Sequence, residues 1–171
     1  MKVYLENKFI SIGGDSKVCD EQGNQLYFGD GKALSFTSKK LIKEMPSKKV
    51  LYIVKNRPFF NIFSYKTHVY NDKHEKIFTL KISKITFKYK VLNSKHNIVF
   101  DKKLLKTSAP VLIDNVEVGK INLELFSTLF TDCFSIETED PSLLPLLIAI
   151  VVAFDNIRDN QARDIWEFNL F

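Results

Sequence analysis

The stretch "DPSLLPLLIAIVVAFDNI", residues 140–157, decides how this chain folds. From Leu143 to Phe154 it holds no charge, amide or hydroxyl, in a chain that is otherwise basic. A twelve-residue helix spans only ~18 Å, against ~30 Å for a bilayer core, so the run by itself is too short to cross a membrane. It begins like a helix. Asp140 or Ser142 can cap it, and Glu139 and Asp140 place negative charge beside its N-terminus. Ser142 is the better cap, because Pro145 then falls in the first turn, where a missing N–H costs nothing. A helix apolar on every side must be enclosed on every side. The spacing therefore predicts a central helix over about 142–156 inside something that surrounds it.

The preceding 138 residues supply the enclosure. They lack helical periodicity and alternate over short runs broken by turn residues, which reads as a meander of antiparallel strands. Fifteen Phe and six Tyr against six Gly and five Pro suit pleated, half-buried surfaces. Three segments share one ten-residue plan: "VCDEQGNQLY" (18–27), "VYNDKHEKIF" (69–78) and "VLNSKHNIVF" (91–100). Each has an aliphatic start, a polar Asx-containing centre whose Asn, Asp or Gly tolerates left-handed geometry, and an aromatic end, as two strand ends around a turn require. A looser copy, "VLIDNVEVGKI" (111–121), turns at Asp114-Asn115. Further strands are legible at "KVYLE", at "KVLYIV" after the Met45-Pro46-Ser47 turn, at "KISKITFKYKV" (81–91) as one long strand, and at "NLELF" and "DCFSIET". Roughly ten to twelve strands result. A closed barrel of eleven or twelve strands is wide enough to hold one helix.

These features resemble the tubby C-terminal-like superfamily, and within it the short bacterial members of the LURP-one-related family. The opening "KVYLENKFISIGGDSKVCDEQGNQLYF" is similar to the family's start, a strand, an F-x-S-x-G step, then V-x-D-x-x-G-N-x-x-Y. The close "FSIETEDPSLLPLLIAIVVAFDNI" is similar to its last strand, Asp-Pro turn and apolar helix ending in an Asp. The resemblance implies a mainly β fold, a closed antiparallel barrel of about twelve strands around the C-terminal helix. It spans residues 1–157 and leaves 158–171 as an extension. Pro145 and that extension depart from the family's pattern. Three roles stay open for Trp166, Phe168 and Phe171: capping the barrel mouth, packing outside it, or touching a partner. On activity, the resemblance implies a binding module: tubby domains bind phosphoinositides through a basic surface, and the more distant phospholipid scramblases are associated with membranes.

The residues themselves give no enzyme. "GGDSK" (13–17) and "GDGK" (29–32) lack the spacing and context of a phosphate loop. His68, His74 and His96 have no metal-ligand spacing, and Cys19 and Cys133 no partnered base. Two distant cysteines and the absence of a signal-like N-terminus lead to the expectation of reduced thiols and a cytoplasmic location, peripheral to a membrane at most. No cofactor is expected.

Charge is the remaining signal. Residues 1–110 hold 22 Lys and Arg against 9 Asp and Glu, a balance of +13, whereas residues 111–171 hold 3 against 11, a balance of −8. A basic half attracts phosphate-bearing partners; the plainer alternative is that lysine keeps outer faces soluble. The candidate contacts to anionic lipid are Lys39, Lys40, Lys43, Lys84, Lys88 and Lys90, with Lys84, Lys88 and Lys90 expected on one strand face by alternation. "RPFFNIF" (57–63) reads as core or as lipid-inserting. A protein partner at the barrel rim or the tail is the second expectation, and nucleic acid at the same lysines a third.

Overall fold

The computed structural model describes residues 1–7, 15–31, 39–56, 64–83, 89–100, 108–125 and 132–168. Among these residues twelve strands precede one long helix. They are β1 (Lys2–Asn7), β2 (Ser16–Asp20), β3 (Gln25–Gly31), β4 (Lys39–Glu44), β5 (Val50–Asn56) and β6 (Ser64–Asn71), then β7 (Lys76–Ser83), β8 (Tyr89–Leu92), β9 (Ile98–Phe100), β10 (Ala109–Ile113), β11 (Val116–Leu125) and β12 (Asp132–Glu137). A short 3-10 turn at Pro141–Leu143 leads into α1 (Leu144–Phe168). Each strand pairs antiparallel with its neighbours in one twelve-stranded sheet, and β1 pairs with β12, Leu5 opposite Phe134. The chain's first strand therefore lies mid-sheet, and the two edges are β8 and β9. The barrel nearly closes there: the rings of Tyr89 and Phe100 meet edge to face with centroids 6.5 Å apart.

The repeated ten-residue plan explains most of the turns. In the first copy the Asp20 carboxylate accepts from the backbone N–H groups of Gln22 and Asn24. In the second the Asn71 side-chain carbonyl accepts from Lys73 and Glu75 in the same way. The left-handed position falls at Gly23 (φ 83°) in one and at His74 (φ 64°) in the other. The Asp114-Asn115 hairpin has both central residues left-handed (φ 51° and 68°), as a two-residue loop between twisted strands requires. The third copy departs. Its left-handed residue is Asn93, and instead of closing on itself the turn is tied to Asp114, whose carboxylate accepts from Asn97 N–H at 2.8 Å and bonds the His96 ring at 2.7 Å. β8 and β9 consequently flank the turn without forming a ladder with each other.

Two sequence expectations need correction. "KISKITFKYKV" is not one strand. Ile82 pairs with Tyr89 and Lys81 with Lys90, so the chain reverses between β7 and β8. The intervening "KITFK" holds no Gly, Pro, Asn or Asp, so alternation runs through the reversal unmarked. The cap is also different. Asp140, not Ser142, begins the 3-10 turn, accepting from Ser142 N–H at 2.9 Å, and Pro145 still falls in the first turn of α1.

The helix is longer than its apolar run. Its 25 residues extend ~37 Å and continue unbroken through position 157 to Phe168. By length and composition Pro141–Arg158 is apolar enough to cross a membrane, but 67% of it is buried inside the protein. Leu147 to Ile157 are buried at every position, all around the helix axis, and the core is this surface against Val3, Leu5, Val18, Val54, Val69, Phe78, Leu80, Ile121, Phe134 and Ile136. Packing is close where α1 enters: a Cβ on Gly119 would stand 2.6 Å from the Glu137 carbonyl oxygen and 2.7 Å from Leu147 Cδ1. Phe154 fills the space behind the seam, its ring 5.1 Å from Tyr89, 5.7 Å from Phe100 and 6.0 Å from Phe134.

Candidate functional site: a basic face on the outer barrel wall

The six lysines picked out by sequence go to different places. Lys40 points into the barrel and is 6% exposed, its ammonium 3.3 Å from the Asp155 carboxylate on α1. Lysine at an inward strand position survives only with such a partner, so Lys40 serves the interior and not a surface. Lys43 lies outside, paired with Asp30 at 2.6 Å. Lys39 is half-buried on the outer wall, and Lys90 is exposed. Lys84 and Lys88 lie outside the described residues, as do "RPFFNIF" and Phe171. The side chains of Trp166 and Phe168 are likewise not described.

Strand register assembles a different set. On the outer wall Lys39 stands opposite Lys55, and Lys55 opposite His68. Two residues along β6, Lys66 stands opposite Lys81, and Lys81 opposite Lys90. Directly opposed side chains have Cβ atoms ~4.5–5.5 Å apart, and like charges so placed repel. Among the described residues none of these five lysines is ion-paired; Lys55 lies over the Tyr70 ring at 5.1 Å. The far side of the barrel is built the other way. There Glu137 on β12 stands between Lys2 on β1 and Lys120 on β11, and Lys2 is bonded to it at 3.1 Å. Lysine used for solubility is thus interleaved with carboxylate on one wall, while on β4–β8 the register stacks lysine against lysine. Lys66 in particular carried no signal: it sits alone in "SYKTHVYN", and only pairing with β7 brings it beside Lys81 and Lys90.

Other chemistry-bearing residues do not converge. His68 shares a hydrogen bond with Thr79 at 2.9 Å on the outer wall, His74 sits in a turn, and His96 ties two turns together. Cys19 is a half-buried free thiol, pushed above its ordinary pKa by burial and then by Glu6. Such a thiol is held away from the reactive thiolate. Among the described residues no group of three or more His, Cys, Asp or Glu could hold a metal.

Two further features lie off the basic face. At the end where α1 enters, a groove of about 860 Å³ is lined by Lys2, Glu117, Lys120, Glu137, Glu139 and Asp140, among others. Its lysines are occupied by its own carboxylates, Lys2 by Glu137 and Lys120 by Glu117. Inside the barrel, Asn56 and Thr67 are register partners on β5 and β6, enclosed at 1% and 0% exposure. Neither side chain has a hydrogen-bond partner among the described residues. Buried polar side chains gather where the apolar run of α1 ends, at Asp155 and Asn156.

The family comparison agrees with this architecture. A family model described as LURP-one-related matches residues 1–155, from the first strand to the buried aspartate that meets Lys40. No curated protein and no solved structure matches the chain significantly. A match over nine-tenths of the sequence, on a nearly closed twelve-stranded barrel around its C-terminal helix, means that the chain belongs to the LURP-one-related family.

Proposed function

We propose that this protein is a non-enzymatic binding module that associates peripherally with anionic phospholipid surfaces from the cytoplasmic side, through the outer face of β4–β8. The observation that carries this reading is the register of Lys66, Lys81 and Lys90, three directly opposed lysines without carboxylate partners among the described residues. Their mutual repulsion is relieved by an anionic surface, and each lysine near such a surface adds on the order of 1 kcal/mol. Lysine suits this task as a hydrated point charge on a flexible stem.

Sedimentation with neutral and with anionic vesicles, at low and physiological salt, tests it, with a nucleic-acid shift assay alongside. Retention on anionic vesicles alone, weakened but not abolished at physiological salt, is the expected result. Absence of vesicle binding sinks the reading, and a shift with DNA or RNA but not vesicles reassigns the lysines. If neither binds, the second reading, an adaptor meeting a protein at the rim or tail, takes its place.

A further inference from the structure

The outer-wall row that begins Lys39, Lys55 and His68 runs on as Thr79 and Leu92, each opposite the last. Beyond the seam the wall resumes with Val99 on β9, opposite Leu112 on β10. Leu92 and Val99 hold equivalent positions in the third ten-residue copy, on either side of its turn. Leu92 is 37% and Val99 41% exposed; among the described residues only Met1 and Val116 are other exposed large apolar side chains. The seam thus carries an aliphatic patch, Leu92, Val99 and half-buried Leu112, directly beside Lys90 and its row.

Building on the anionic-lipid reading, we infer that the barrel rests on the bilayer by its β8–β9 seam. Leu92 and Val99 enter the boundary between headgroups and acyl chains, with Lys66, Lys81 and Lys90 at the phosphates. Aliphatic side chains flanked by lysines match that boundary, where apolar groups sit below and cations at headgroup level. The facing edges of β8 and β9 lack a ladder, and their backbone groups find partners in water and phosphate only at this shallow depth. Two other occupants fit less well. A second copy meeting this patch about a two-fold axis that runs across the strands brings lysine row against lysine row. A strand added from a partner has to part Tyr89 from Phe100, which Phe154 joins from within.

Single tryptophans test the orientation. In a Trp166→Phe background, tryptophan is placed at Leu92, at Val99, or at Tyr4 on β1, far round the barrel from the seam. Each protein is mixed with phosphatidylcholine–phosphatidylserine vesicles carrying brominated acyl chains. With all three proteins co-sedimenting, L92W and V99W should shift to the blue and be quenched, and Y4W should not. Leu92→Ser with Val99→Ser should weaken vesicle affinity by roughly tenfold or more. Co-sedimentation with no quenching at positions 92 and 99, or with equal quenching at position 4, overturns the orientation and leaves the lipid reading standing. A blue shift without vesicles that grows with protein concentration also overturns it, assigning the patch to a second copy. Failure of the unsubstituted protein to co-sediment overturns both.

Discussion

Lys40 on β4 and Asp155 on α1 form an ion pair inside the barrel, Nζ to Oδ2 3.3 Å, with the two residues 6% and 4% exposed. The pair ties the far end of the buried helix to the wall. Removing one partner strands the other charge in the core, at a cost of about 3–5 kcal/mol, whereas replacing both by apolar residues is often neutral or better. Asp155→Ala and Lys40→Met should each be strongly destabilised in urea unfolding, and Lys40→Met with Asp155→Leu should regain most of the loss. Additive effects would show that the charges do not meet.

Lys81 stands between Lys66 and Lys90. Lys81→Glu turns two repulsive cross-strand pairs into two attractive ones, each worth roughly 0.2–1 kcal/mol. The variant should melt higher than the unsubstituted protein and bind anionic vesicles more weakly. A lower melting temperature would mean that the lysines support the fold and are not held there at its expense.

Among the described side chains, Phe154 is the one helix ring that touches β8, β9 and β12 together. Truncation of a buried Phe costs about 3–5 kcal/mol. Phe154→Ala should fall in this range, with β8 and β9 losing amide-exchange protection before β1 and β12. Uniform loss of protection around the barrel would contradict the seam as its weakest line.

The Asn24 side chain, then the backbone N–H groups of Asn24, Gln22 and Gly23, hold the Asp20 carboxyl below its ordinary 3.8. A group depressed on folding contributes stability above its unfolded value and loses it as pH falls through 3.8 toward the folded value. Asn71 makes the same backbone contacts from an uncharged amide in the second turn. Asp20→Asn should therefore be slightly less stable than the unsubstituted protein at neutral pH and lose less stability on acidification, the two converging at low pH, as thermal melts across the acid range would record. Equal acid sensitivity would remove Asp20 from the account.

Burial pushes the Tyr89 hydroxyl up to about 12, with Arg158 pulling modestly the other way. In the unfolded chain it ionises near 10, so stability falls as pH rises from there through about 12. Tyr89→Phe keeps the ring against Phe154 and should flatten this alkaline loss. Absorbance at the phenolate band should show one tyrosine fewer titrating late.

Much of the fold was legible in the sequence. The run from Leu143 to Phe154 has no polar side, so whatever encloses it must do so all round, and the strand-rich remainder of the chain can do that as a barrel wide enough for one helix. The turns at Gly23, His74 and Asp114-Asn115 were legible because Gly, Asn and Asp favour left-handed backbone and the repeat marks His74's position. Where local chemistry was ambiguous the reading failed, as in the unmarked reversal between β7 and β8.

The sequence by itself determined that a helix would be buried, that hairpins would surround it, and that the charge would be basic before residue 110 and acidic after it. These are properties of side chains close together in the chain. Only the tertiary structure decided which lysine faces in. "KKLIKE" has two lysines and then two aliphatics, so alternation alone gives no phase, and the pairing of β4 with β5 is what sends Lys40 toward Asp155. The tertiary structure also decided that Lys66, Lys81 and Lys90 form one row, and that the third ten-residue copy is the seam. Register across strands depends on turn lengths and on bulges such as that at Val69/Tyr70. A shift of one residue there sends every side chain beyond it to the other face.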